Sequence, residues 1–447
     1  MSNTHLIIEQ SLELSGQVNL TGAKNAVLVI MASLILTDGK SRLYNVPNSD
    51  DVHQMIALLT QLGAQISYCK ETNTLDVDTT MINNYKVNRD IMKKMRASIL
   101  VMGPLLARFG NADIALPGGC VIGTRPINYH LINFMKMGVE IETTDDMVRA
   151  KTLALMPAKI VLEYPSVGAT ENILMAAVLT KGTTRMVNVA LEPEVLDLIT
   201  VLKKMGARIQ VLPPATLEIE GVSHLNPIEH SIIYDRLEAG SLLVAVAITG
   251  GQIYLPQAPA DSMDIFLMKL QEMGHKIEIG ANGVGVRLQA TQSPRAVSFK
   301  TNPYPGFPTD LQAPMMAAQC LAEGVSVIEE TVFENRLVHI RELQKMGAQI
   351  QIEHNKATVT GVDELYGAHV IATDIRASCG LVVAGLAAKG TTVMSGIHHW
   401  TRGYDALEKK LAQLGAVIRL ETVESDKPCD DQDMLGCRQA GILVDRL

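Results

Sequence analysis

The chain has 447 residues with 47 acidic and 39 basic side chains, a formal net charge of −8 that argues against a general nucleic-acid binder and confines any anion site to a local cluster of basic residues. Aromatics make up 4% of a chain that is 47% hydrophobic, so small aliphatic side chains dominate and favour closely packed helices. Six cysteines without a CxxC pair read as neither zinc ligands nor a disulfide framework, and the N-terminus lacks the basic and long apolar regions of a signal peptide, so the expected location is cytoplasmic.

In chain order, Leu or Met followed by Gly and then Ala, Val or His recurs at Gly63, Gly138, Gly206, Gly274, Gly347 and Gly415. These mark copies of a unit of about seventy residues. Each copy opens with a helix that is apolar nearly all round: 26–36, 97–107, 170–180, 239–248, 311–322 and 377–388. A helix without a polar face must be covered on every side. A glycine turn and a β-branched segment follow, as in 182–189 or 390–394. An amphipathic helix, such as 195–205 or 337–346, then ends on the repeat glycine, a natural C′ residue. Two short strands, for example 208–212 and 217–220, finish the unit. With the strand before it, the unit reads βαβαββ, and this alternation predicts parallel pairing through right-handed crossovers.

The expected fold is α/β, with two domains of three βαβαββ units each and the first helices buried at each centre. The first domain spans 22–233; the second combines 1–21 with 234–420, the N-terminal segment supplying a missing strand out of sequence. The apolar runs stop short of a membrane span. The polar, acidic stretch 421–447 reads as a mobile tail.

Leu116 to Pro126, Leu-Pro-Gly-Gly-Cys-Val-Ile-Gly-Thr-Arg-Pro, is a built loop around a thiol. No carboxylate lies between Asp113 and Glu140, whereas Arg125, His130 and Lys136 do, a setting that lowers the pKa of Cys120 and suits an anionic substrate. Lys24 and Asn25 open the first apolar helix, where dipole and charge favour an anion, although Asn25 also fits a cap. Asp310 and Asp374 directly precede the apolar helices of units five and six. Both fit helix caps, yet the stiff Asn-Pro-Tyr-Pro-Gly-Phe-Pro loop before Asp310 also fits a carboxylate fixed for proton abstraction. Arg96, Arg125, Arg336, Arg376 and Arg402 all fall near helix starts, and facing domains would gather them into a fork for carboxylate and phosphate. No GxGxxG after a strand, P-loop, HExxH or GxSxG occurs, and His398-His399 lacks a third ligand at metal spacing. Neither a cofactor nor a metal is expected.

Gly-Ala-Lys-Asn-Ala at 22–26, Met-Arg-Ala-Ser at 95–98, the 116–126 loop, Pro-Ser-Val-Gly-Ala-Thr at 165–170, Phe-Pro-Thr-Asp at 307–310, Glu-Asn-Arg at 334–336, Ala-Thr-Asp-Ile-Arg-Ala-Ser at 372–378 and Arg-Gly-Tyr at 402–404 resemble the UDP-N-acetylglucosamine 1-carboxyvinyltransferase family over about residues 1–420. The resemblance implies two inside-out α/β domains and transfer of the enolpyruvyl group of phosphoenolpyruvate to the 3′-hydroxyl of UDP-N-acetylglucosamine, the first committed step of peptidoglycan synthesis. It implies that Cys120 is the acid at C3 of phosphoenolpyruvate and the residue alkylated by fosfomycin, and that Asp310 takes the hydroxyl proton with Asp374 in support. Lys24, Arg125 and Arg402, assisted by Arg96 and Arg376, would bind phosphoenolpyruvate, and Asn25 would hold the sugar. Arg125, Pro126, His130, Ser166, Val167, Gly168 and Val332 would line the nucleotide-sugar site, with Arg336 also on the substrate. Tyr164 and Asn128 stand where some members carry lysine and aspartate. The rival readings are enolpyruvylshikimate phosphate synthase, against which the Gly-Gly-Cys loop argues, and a catalytically silent sugar-nucleotide binder.

Overall fold

A computed structural model describes residues 3–87, 95–115 and 127–423. Its buried apolar residues form two clusters, one running from Ala23 to Ile232, the other joining Leu6–Leu20 to Leu237–Ala416. At the centre of each lie helices without a polar face. Lys24–Ser33 is buried at every position but Asn25, and Arg236–Thr249 and Ile375–Ala387 are buried almost throughout. Truncating a side chain as enclosed as Leu243 in such a helix costs about 2–5 kcal/mol, because its neighbours cannot collapse onto the void.

The second helix of each unit carries one apolar stripe. Pro193–Met205 starts with proline at its first turn, buries Val195, Leu198, Leu202 and Met205, and leaves Leu196 and Thr200 outside. It stops at Gly206, whose φ of 110° is the left-handed conformation that glycine adopts without a Cβ penalty.

Residues 26–36 close in the 3-10 turn Leu34–Leu36, and two other expected apolar helices are split near their start. The 97–107 stretch is a 3-10 helix, Arg96–Val101, followed by the α-helix Met102–Phe109, and 311–322 is the 3-10 turn Thr309–Leu311 followed by Gln312–Gln319. Pro104 and Pro314 are the physical reason. Each lacks the N–H that a continuous α-helix would need, and each is tolerated in the first turn of the helix that begins just before it.

Among the described residues there are six four-stranded sheets. The parallel pairing expected of strands joined through a helix is present. Each sheet has one parallel pair, such as Lys159–Val161 on Thr183–Val187, and otherwise antiparallel pairs, such as the hairpin Arg208–Leu212 with Thr216–Glu220. Only the crossover through a helix forces parallel pairing; the short turn between the last two strands forces the opposite.

The N-terminal segment supplies two strands rather than one. Asn3–Glu9 lies between Thr391–Ser395 and Ile418–Val423, antiparallel to both, and Ser15–Gln17 pairs in parallel with Gln252–Pro259. In return, Glu229–Ser231 pairs in parallel with Lys40–Tyr44. The chain therefore passes between the clusters twice, and the two passages meet at a bridge between Gly22 and Tyr234. The strand Ile418–Val423 runs past the boundary expected at 420, and residues 424–447 lie outside the described residues. No described helix is long and apolar enough to cross a membrane.

Candidate active site

Lys24 opens its helix with Nζ on the Oδ2 of Asp51 at 3.0 Å, and Arg402 reaches the other oxygen of the same carboxylate through Nε at 2.9 Å. Asp51 lies in the first turn of Asp50–Leu62, a helix capped by Ser49, where the dipole favours a negative charge. Burial alone would raise the Asp51 carboxyl, but Lys24 and Arg402 outweigh it and hold the group below the ordinary carboxylate range. Arg402 belongs to Ile397–Gly403 and Lys24 to the first cluster, so this carboxylate joins cations from both halves of the molecule. Thr401 donates to Asp50 and the Asn48 N–H to Asp405 beside it. Asn25, a candidate cap, caps nothing. The N-cap of its helix is Ala23, and Asn25 is the one exposed residue of that helix.

Asp310 and Asp374 occupy matching places in sequence but different ones in space. Asp374 is a helix cap, accepting from the N–H groups of Arg376 at 2.8 Å and Ala377 at 3.1 Å. Asp310 sits in the turn Thr309–Leu311, with Oδ1 accepting from Arg336 Nη2 at 3.0 Å and Oδ2 from Arg376 Nη2 at 2.9 Å. Two guanidinium groups thus fix both oxygens. Arg376 in turn lies 5.4 Å from the centre of the Tyr404 ring, and its own helix start is organised by Asp374. The stiff loop before Asp310 is tied down by Glu330. This carboxylate is 2% exposed and accepts from Thr301 and Thr309 as well as from the N–H groups of Val332 and Phe333.

Ser166 caps Val167–Ala177, accepting from the Ala169 N–H, and Gly168 lies in that helix's first turn. A Cβ built on Gly168 would stand 3.5 Å from Cε1 and 3.6 Å from Nε2 of His130, so the imidazole rests against the helix start. His130 belongs to Asn128–Lys136, which begins at Asn128. Burial, together with Glu192 and Glu330, raises the Tyr164 hydroxyl pKa.

Cys120, Arg125 and Pro126 lie outside the described residues, and Arg96 is placed only as the start of Arg96–Val101. Among the described residues, the expected arginine fork takes the form of two separate cation pairs: Lys24 with Arg402 on Asp51, and Arg336 with Arg376 on Asp310. Sequence reasoning missed both Asp51 and Glu330. Asp51 carried a signal, a second aspartate inside a capped first turn; Glu330 carried none for its hold on the loop before Asp310, because Thr301 and Thr309 lie 29 and 21 residues away. It also missed Glu194, which receives both Nε and Nη2 of Arg236 across the junction of the two clusters.

Residues 8–411 match the model of the EPSP synthase (3-phosphoshikimate 1-carboxyvinyltransferase) family. The chain folds like the enolpyruvyl transferase NikO from Streptomyces tendae, with a TM-score of 0.86 and 26% identity over 95% of this chain and 100% of that one. EPSP synthase from Acinetobacter baumannii shares the fold at a TM-score of 0.74 and 15% identity, covering 94% of this chain and 100% of its own. Two UDP-N-acetylglucosamine 1-carboxyvinyltransferases are more similar in sequence. That of Geobacter metallireducens is 47% identical over 93% of this chain and 98% of its own, and that of Cellvibrio japonicus 45% identical over 92% and 98%. The chain belongs to the EPSP synthase family and, within it, to the UDP-N-acetylglucosamine 1-carboxyvinyltransferases.

Proposed function

We propose that this protein transfers the enolpyruvyl group of phosphoenolpyruvate to the 3′-hydroxyl of UDP-N-acetylglucosamine and releases phosphate, a step of peptidoglycan synthesis carried out in the cytoplasm. The observation that carries the reading is identity of 47% across 98% of a relative bearing that activity's name. In this reading residues 22–233 form one domain, and 1–21 with 234–423 form the other, with the substrates enclosed between them.

Cys120 delivers a proton to C3 of phosphoenolpyruvate, leaving oxocarbenium character at C2, and the sugar 3′-oxygen adds there while Asp310 takes its proton. Loss of phosphate and of a C3 proton then restores the vinyl group. Arg336 and Arg376 support this role for Asp310, because a carboxylate held through both oxygens cannot swing away from the hydroxyl. Lys24, Arg125 and Arg402 hold the phosphate and carboxylate of phosphoenolpyruvate, with Arg96 and Arg376 assisting. Asp374 contributes by organising the helix start that carries Arg376. Asn25 faces the sugar, while Arg125, Pro126, His130, Ser166, Val167, Gly168 and Val332 line the nucleotide-sugar site. The chemistry calls for neither metal nor cofactor.

Phosphate release from phosphoenolpyruvate, assayed with UDP-N-acetylglucosamine against shikimate 3-phosphate, tests the reading. Turnover is expected only with the sugar nucleotide; activity confined to shikimate 3-phosphate, or none with either, overturns it. Cys120→Ser should reduce turnover by at least about a hundredfold while leaving UDP-N-acetylglucosamine binding in place.

A further inference from the structure

Helices Met102–Phe109 and Val167–Ala177 touch where Gly103 meets Asn172. A Cβ on Gly103 would stand 2.1 Å from the Asn172 carbonyl oxygen, so the contact needs a residue with no side chain. The Asn172 side chain is wholly buried and fully engaged there. Its Oδ1 accepts from the Gly103 N–H at 2.6 Å, and its Nδ2 donates to the Ile99 carbonyl at 2.9 Å and pairs with His130 Nδ1 at 3.0 Å.

The two backbone partners leave no freedom in how the amide is turned. A backbone N–H can only donate and a carbonyl can only accept, so the atom facing Ile99 and His130 is the NH₂. His130 Nδ1 must then accept through its lone pair, and the proton of the neutral ring belongs to Nε2. Protonating Nδ1 would set one N–H donor against another inside a buried contact, at the cost of an unmade hydrogen bond.

We propose that Asn172 is a positioning residue for the sugar-nucleotide site, fixing His130 as the neutral Nε2–H tautomer so that the imidazole serves as a hydrogen-bond donor and not as an acid or base. Nε2 is the ring nitrogen beside the Gly168 turn, at the Ser166–Gly168 helix start. A donor there adds to the N–H groups of that turn and selects an acceptor, such as a carbonyl or phosphate oxygen of the nucleotide. The functional half of the proposal rests on the placement of UDP-N-acetylglucosamine given above; the tautomer itself does not.

The test uses the full-length protein labelled with ¹⁵N-histidine, the His130 signals being assigned by their loss in His130→Gln. The expected spectrum shows a pyrrole-type Nε2 and a pyridine-type Nδ1. In Asn172→Asp the carboxylate accepts at Nδ1, which should become pyrrole-type. KM for UDP-N-acetylglucosamine should rise about tenfold, the equivalent of one hydrogen bond, while KM for phosphoenolpyruvate stays within about twofold. A protonated Nδ1 in the unsubstituted protein overturns the tautomer assignment, and that measurement stands even if the variant does not fold. A pyridine-type Nδ1 combined with an unmoved sugar-nucleotide KM in folded Asn172→Asp overturns the positioning role and the placement of His130 at that substrate.

Discussion

Asp310 is where loop, charge and chemistry converge. Asp310→Asn keeps the size of the side chain but removes the proton acceptor and can accept from only one of Arg336 and Arg376, so kcat should fall by about 10²–10⁴-fold. Phosphate release at saturating substrates measures this, and a change of less than threefold would contradict the role of base. His339 makes a second residue-scale prediction. It is fully buried, its Nδ1–H donates to the Arg336 carbonyl, and its Nε2 has no hydrogen-bond partner among the described residues. Burial lowers its pKa from 6.5 to about 4, only partly opposed by Asp374. Between those values the unfolded chain binds the proton and the native ring does not, so stability falls as pH falls. Urea unfolding should show the protein losing about 2 kcal/mol more than His339→Gln between about pH 7 and pH 5; equal losses would contradict it. The sequence limited how far these roles could be read. Asp310 and Asp374 look alike in it, each standing just before an apolar helix. What separates them is that the two arginines on Asp310 come from 26 and 66 residues away, while the cap made by Asp374 is local.

At the scale of elements, local chemistry was legible and long-range pairing was not. The amphipathic helices, the hairpins and the glycine stops depend on a few consecutive residues, and they stand where periodicity places them, except that 337–346 opens as the 3-10 helix Arg336–His339 before the α-helix Ile340–Lys345. The split helices were also written locally, in Pro104 and Pro314, but the apolar run masked them. The use of the N-terminal segment in two separate sheets depends on partners at the far end of the chain, and hydropathy carries no record of them. The crossing at Gly103 is the most demanding contact of this kind. Gly103→Ala should cost about 1–3 kcal/mol through overpacking, read from the urea midpoint, and should move the Asn172 amide away from His130. A variant as stable as the parent would mean that the helices separate without penalty.

Across the whole molecule, Asp51 couples the two clusters by bridging Lys24 and Arg402. Asp51→Asn leaves a nearly buried ammonium without its counter-charge and should cost about 3–5 kcal/mol. An anion can restore that pairing, so inorganic phosphate should raise the melting temperature of the variant by more than it raises that of the parent. Equal shifts would exclude Lys24 and Arg402 as a joint phosphate receptor. The interleaved N-terminus has a consequence of another kind, for the order in which the molecule can be built. Asn3–Glu9 is the inner strand between two partners that a ribosome makes hundreds of residues later, at Thr391–Ser395 and Ile418–Val423. Asn3–Glu9 must therefore wait for its partners while the core from Ala23 to Ile232 condenses beside it. Its sheet closes only after Ile418–Val423 has been made, and a fragment starting at Asp235 would lack that inner strand and the Ser15–Gln17 edge together.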